Sequence, residues 1–184
     1  MKTLNGKRIA LIIAEGYDRD DLQSPCEALI MAGADIELVS IAAGPVRSAG
    51  GRLVSAVHLA RAVGMVASQA YHGLVIPGGA ASVERLRRDR SSMTFIHSFV
   101  QDWKHIAAIG HGLLLLSDLG FLNGVAISSS IALRGALLNG GAIWMNEPVA
   151  VDGRLVSGRS AKESTVFNNT MVEVFAGQGA PVSI

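Results

Sequence analysis

The chain has 184 residues, 49% of them hydrophobic and 17% charged, with a formal net charge of +1. That length supports one domain over residues 1–184 with a substantial core, and the balanced charge excludes the electrostatic footprint of a nucleic-acid or acidic-membrane binder. One cysteine, Cys26, excludes an internal disulfide framework and fits a reducing cytoplasm.

The first eight residues are polar and lack the small-residue cleavage site of a signal peptide, and no apolar run reaches the roughly 18 residues that cross a membrane. Lys7-Arg8 is followed by Ile9-Ala10-Leu11-Ile12-Ile13-Ala14, a continuous apolar run that places a strand over 8–14, buried on both faces of a parallel sheet. Asp20, Asp21 and Ser24-Pro25 open a helix that runs to about Met31 and closes at Gly33. Asp35–Ser40 alternates as a second strand, and Gly44-Pro45 and Gly50-Gly51 punctuate short extended pieces. Residues 58–70 read as helix, 73–76 as a buried strand ending in Pro77-Gly78-Gly79, and 82–103 as helical material. A further buried strand spans 105–109, followed by a tight turn and a helix over 112–119. Residues 126–128 form a short strand and 131–138 a helix. Strands over 142–147, 149–152 and 155–157 are turned by Asp152-Gly153, a final helix covers 161–175, and 177–184 is a loose tail.

Strand-helix alternation predicts an α/β fold: a flavodoxin-like three-layer sandwich, its sheet mainly parallel and covered by helices on both faces. The continuously apolar strands at 8–14, 73–76 and 105–109 belong side by side in the middle. Ligands in such sheets bind beyond the carboxyl ends of the strands, so Glu15–Asp21, Pro77-Gly78-Gly79 and Gly110-His111 should converge there. The turn at Gly110 is where many α/β enzymes hold a Ser or Cys nucleophile on a strained elbow beside a His. His111 is present, but Gly110 has no side chain and cannot attack anything.

Leu74-Val75-Ile76-Pro77-Gly78-Gly79, Ala107-Ala108-Ile109-Gly110-His111-Gly112, Asn139-Gly140-Gly141-Ala142-Ile143-Trp144 and the segment Val151–Arg159 together resemble, in order, the ThiJ/PfpI family of the class I glutamine amidotransferase-like superfamily. Gly78–Val83 is also similar to the C-terminal domain of large-subunit catalases, which keeps the fold and generally lacks the catalytic machinery. The resemblance implies peptidase-like, glyoxalase or deglycase chemistry and stress protection, carried by a cysteine in an Ala-Ile-Cys-His-Gly elbow and a glutamate from the first strand-helix loop. This chain departs at both positions, with Gly110 at the cysteine and Asp21, one methylene shorter, at the glutamate. The resemblance also implies an oxyanion hole at Gly79 and the His111 amide, and a neighbouring subunit's Glu84 beside His111. It implies a pocket wall including Gly78, Ser128, Ser129 and Ser130, with Arg159 after the late strand.

Each residue has a plainer reading. His111 is a packed leftover or a general base on water. Asp21 is a helix cap or a catalytic carboxylate. Glu84 lies in a mixed charge run that reads as a solvated helix face with local ion pairs. Arg159 makes an ion pair or an anion contact, Cys26 is a core residue rather than a nucleophile, and Trp103 and Trp144 belong to core or interface. The catalytic set His111, Asp21 and Glu84 is thus vestigial or weak. The expected protein is a non-catalytic, cytoplasmic ThiJ/PfpI-fold module for small-ligand binding, regulation or stress-related assembly, and a homo-oligomer. It is expected to have no cofactor and no metal site, and neither nucleic-acid nor membrane partners. The alternative is a family hydrolase, glyoxalase or deglycase acting through His111 and Asp21, or an active enzyme whose elbow cysteine was mutated to Gly110.

Overall fold

The computed structural model describes residues 3–51, 59–160 and 163–177. Its main sheet has seven strands: β1 (Arg8–Ile12), β2 (Asp35–Ser40), β3 (Arg61–Ala62), β4 (Gly73–Ile76), β5 (His105–Ile109), β8 (Val149–Asp152) and β9 (Leu155–Gly158). The order is β3-β2-β1-β4-β5-β9-β8, parallel except for the β8–β9 pair. Strands β1, β4 and β5 lie side by side inside the sheet, where their unbroken apolar sequences place them. A separate parallel pair, β6 (Ala126–Ser128) and β7 (Ile143–Met145), stands apart from the main sheet.

The period-two pleat sorts each central strand between two cores. Ala10 and Ile12 of β1, with Ile76 of β4 and Ile106 of β5, pack against helices α2 (Ala80–Arg88), α3 (Arg90–Gln101), α4 (Leu113–Asp118) and α5 (Arg134–Asn139). Ile9, Leu11, Val75 and Ala107 face the other way, onto α1 (Arg19–Met31) and α6 (Ser164–Phe175). The result is the three-layer α/β sandwich expected from the alternation of elements.

The helix read over 58–70 is corrected. Among its described residues, Arg61–Ala62 is strand β3 and short 3₁₀ turns occupy Val63–Met65 and Ser68–Ala70. The open edge of β2 supplies backbone partners for β3, pairing Val39 with Arg61 and Ser40 with Ala62. Arg61 also reaches Glu37 of β2 at 3.3 Å. These sheet contacts outweigh the modest helix propensity of a segment containing Val63, Gly64 and Val66. The helical stretch read over 82–103 is two helices hinged at Asp89, an extended residue at φ −90° whose carboxylate caps α3 through the Ser92 amide at 2.8 Å. Trp103 is 71% exposed at φ +53° and lies outside the core. Of the tail read from residue 177, positions 178–184 lie outside the described residues, as do 161–162 of the last predicted helix.

Phe99 carries much of the packing of α3. It is fully buried and meets Phe95 edge-on at a centroid distance of 5.1 Å. Phe99→Ala is expected to cost about 3–5 kcal/mol in guanidinium unfolding. A loss of the size seen at a surface position would contradict the packing of α3 against this face.

Candidate functional site

Three chain turns meet at the carboxyl ends of β1, β4 and β5. The first begins with Asp18, the true N-cap of α1. Its Oδ1 accepts the amides of Asp20 at 3.0 Å and Asp21 at 3.1 Å. The reading of Asp21 as that cap is therefore corrected. Asp21 is the third residue of the first turn, and its side chain does not cap the helix. It is 8% exposed, and its carboxylate lies against Gly78 and faces Gly110. The positive end of the α1 dipole favours a negative charge there.

The second turn, 77–79, permits this approach because it carries no side chains after Pro77. A β-carbon on Gly78 would overlap Asp21 Oδ2 and come within 3.3 Å of the Ile109 carbonyl. Gly79 has φ +105°, and a β-carbon there would lie 2.5 Å from the Asp18 nitrogen and 2.6 Å from the Gly16 carbonyl. The Asp18 amide donates to the Gly78 carbonyl at 3.0 Å. The Ala14 amide donates to the buried Ser82 hydroxyl at 2.8 Å, tying the end of β1 to α2. The first two turns are thus interlocked.

The third turn is the elbow. Strand β5 ends at Ile109, a 3₁₀ turn covers Gly110–Gly112, and α4 starts at Leu113. Gly110 has φ +52°, in the left-handed region that suits glycine. A β-carbon there would meet only Asp21 Oδ2, at 3.8 Å. The elbow therefore has space for a side chain, and that side chain would face the Asp21 carboxylate. His111 follows it, partly exposed, and its ring makes no hydrogen bond to another described residue. Asp21, Gly78, Gly79, Gly110 and His111 all belong to these converging turns.

The remaining predicted site residues have partners of their own. Glu84 pairs with Arg87 at 3.2 Å and Arg88 at 2.7 Å, and Arg87 holds its carboxyl below the usual range. Arg87 grips Asp118 of α4 with two bonds of 2.6 and 2.9 Å. Within one chain, the charge run on α2 is the locally paired helix face that its composition suggests. Ser128 and Ser129 are fully buried. The Ser128 hydroxyl donates to the Glu147 carbonyl, and Ser129 accepts the Trp144 indole N–H at 3.0 Å. Ser130 accepts from Ser129 through its carbonyl at 3.1 Å. Arg159 is ion-paired to Glu163 at 3.4 Å and bonded to Asn146 at 3.3 Å. Burial pushes the Cys26 thiol up to about 12, with Glu27 adding to the shift. So little thiolate exists at neutral pH that Cys26 is a poor nucleophile. Among the described residues, no cluster of three or more His, Cys, Asp or Glu is placed to hold a metal ion, and no helix is long and apolar enough to cross a membrane.

Sequence reasoning missed Asp18 and Ser82. Asp18 had a legible signal, an acid three residues ahead of the acid at Asp21, which is an N-terminal capping pattern. Ser82 had none, because its role depends on β1 and α2 meeting in space.

The chain matches the model of the DJ-1/PfpI family over residues 7–174. SERP1413 of Staphylococcus epidermidis is 33% identical over 171 residues, covering 91% of this chain and 96% of that protein. Deglycase TK1284 of Thermococcus kodakarensis is 28% identical, over 83% of this chain and 89% of that protein. The crystal structure of Drosophila melanogaster DJ-1beta has the same fold, with a TM-score of 0.85 at 20% identity over 93% of this chain and 91% of that one.

The elbow's backbone can be tested by stability alone. Gly110→Ala meets no clash but carries a left-handed φ, expected to cost about 1–2 kcal/mol. Gly110→Asn is expected to cost less, because asparagine tolerates that region better. Guanidinium unfolding should give this order, and an alanine variant as stable as the native chain would contradict the left-handed elbow.

Proposed function

Since this chain belongs to the DJ-1/PfpI family, we propose that Gly110 stands where the family places its nucleophilic cysteine, and that the protein is a non-catalytic member whose pocket binds a small ligand. One observation carries this reading. The elbow is bent to φ +52° with space for a side chain opposite Asp21, and the residue there is glycine. An L-residue at such a φ is strained by roughly 1–3 kcal/mol, which an active site tolerates for its chemistry. Glycine relieves that strain once the chemistry is no longer needed. Cys26 offers no substitute, because it packs against the core beneath α1 and its thiol stays protonated. A regulatory or stress-related role in the cytoplasm, and self-association into a homo-oligomer, belong to the same reading. Large apolar side chains left in water support self-association, among them Met31 at 78%, Met65 at 75% and Ile131 at 70% exposed.

A second reading has one observation in its favour. The Asp21 carboxylate is buried and faces the space beside Gly110, with His111 next in sequence. Those two groups would act as acid and base on a bound water or carbonyl, giving a weak hydrolase or lyase. Loss of the elbow cysteine by mutation from an active enzyme is the remaining variant of that reading.

Paired assays separate the two. The native chain is expected to turn over neither methylglyoxal nor a peptide substrate above background. Gly110→Cys is expected to introduce a thiol that titrates below the free value of about 8.5 and supports weak glyoxalase turnover. Adding Asp21→Glu should improve the rate, since a reacting group misplaced by about 1 Å costs on the order of 100-fold. Turnover by the native chain, abolished in Asp21→Asn, would establish the second reading and overturn the first.

A further inference from the structure

The β6–β7 pair is held to the edge of the main sheet by side chains rather than by a strand ladder. The Ala126 amide donates to Asp152 Oδ2 at 2.8 Å, at one end of β8. At the other end the Ser128 hydroxyl donates to the Glu147 carbonyl, and the Ser128 amide reaches Ser157 Oγ on β9 at 2.9 Å. Because β6 and β8 are fastened near their ends and share no ladder, a gap remains beside β8. It is a cavity of about 510 Å³ between β8, the small sheet and α6.

Its lining is mostly apolar: Met145, Val149, Val151 and Val166 form the walls. Among the described residues that line it, the two carboxylates Glu147 and Asp152 are the ionisable groups and none is basic. The Glu147 carboxylate has no hydrogen-bond or ion-pair partner among the described residues, and Asp152 Oδ1 makes no hydrogen bond there either. Apolar walls with a few oriented polar groups are the usual makeup of a small-molecule site. The unbalanced negative charge decides the sign of the ligand. An anion would be repelled by both carboxylates, whereas an ammonium would gain charge-assisted hydrogen bonds while its hydrocarbon body fills the space between the valines. None of the elbow residues lines this cavity, so it is separate from the turns around Gly110.

We propose that this cavity is a second ligand site, selective for a small apolar organic cation: an ammonium whose hydrocarbon part lies among Val149, Val151 and Val166 and whose charge meets Glu147 and Asp152.

The test uses the full ¹⁵N-labelled chain and three matched probes at neutral pH: benzylammonium, benzyl alcohol and benzoate. Benzylammonium is expected to shift the amide resonances of Val149–Asp152 and Val166 saturably. Benzyl alcohol should bind about tenfold more weakly, the loss of one charged hydrogen bond, and benzoate should not bind there. Glu147→Gln, a change at an exposed side chain, should bring benzylammonium down toward the affinity of the alcohol while leaving the alcohol unchanged. Ala126→Leu should fill the cavity and weaken both. Equal binding of amine and alcohol, an amine affinity indifferent to Glu147→Gln, or no saturable shifts at these residues would each overturn the proposal. Should Ala126→Leu fail to fold, the probe series and Glu147→Gln still decide it.

Discussion

The carboxyl end of the sheet depends on how closely three backbone turns approach one another. The Asp21 carboxylate occupies the space that any side chain at residue 78 would need. Gly79 sits against the backbone of Gly16 and Asp18 at distances that exclude a β-carbon, and Gly112 lies where a β-carbon would be 2.5 Å from the Ile76 carbonyl. Close packing of this kind leaves no slack. It turns three loops, each ordinary in sequence, into one rigid surface with a buried carboxylate aimed at the elbow.

Glycine plays two different parts on that surface. At Gly78, Gly79 and Gly112 it is required by proximity, since a side chain would collide with a neighbouring element. At Gly110 proximity makes no such demand, because the nearest atom to a β-carbon would be Asp21 Oδ2 at 3.8 Å. There the demand is conformational, a φ of +52° that other residues adopt only at a cost. A position with space for a side chain, a strained backbone and a carboxylate opposite is arranged for a functional group. Nearby, Ser128 and Ser129 are buried and hydrogen-bonded, and Arg159 is ion-paired to Glu163.

The central architecture was legible because β1 after Arg8, β4, and β5 after His105 are continuously apolar, a pattern suited to strands covered on both faces. The elbow was legible because a buried strand running into Gly-His-Gly and a leucine-rich helix leaves little choice of geometry. What failed was set by partners distant in sequence. The segment at 58–70 reads as helix locally, and its described residues form a strand and 3₁₀ turns because the edge of β2 offers backbone partners. Strands β6 and β7 were visible individually, but their separation from the main sheet follows from the side-chain bonds of Ser128 and Asp152, which no local pattern announces. Asp21 is a candidate in the sequence, and its placement facing the elbow goes with Asp18 taking the cap.

The site is built on the packing of one carboxylate against one glycine, and a double-mutant cycle measures that contact directly. Gly78→Ala, Asp21→Ala and the double variant would be compared by guanidinium unfolding. Strong non-additivity is expected: alanine at 78 should be markedly destabilising opposite Asp21 and far better tolerated once that carboxylate is removed, with a coupling of about 1–3 kcal/mol. Additive costs within about 0.5 kcal/mol would mean that the two residues do not share this space, and would contradict the arrangement of the site.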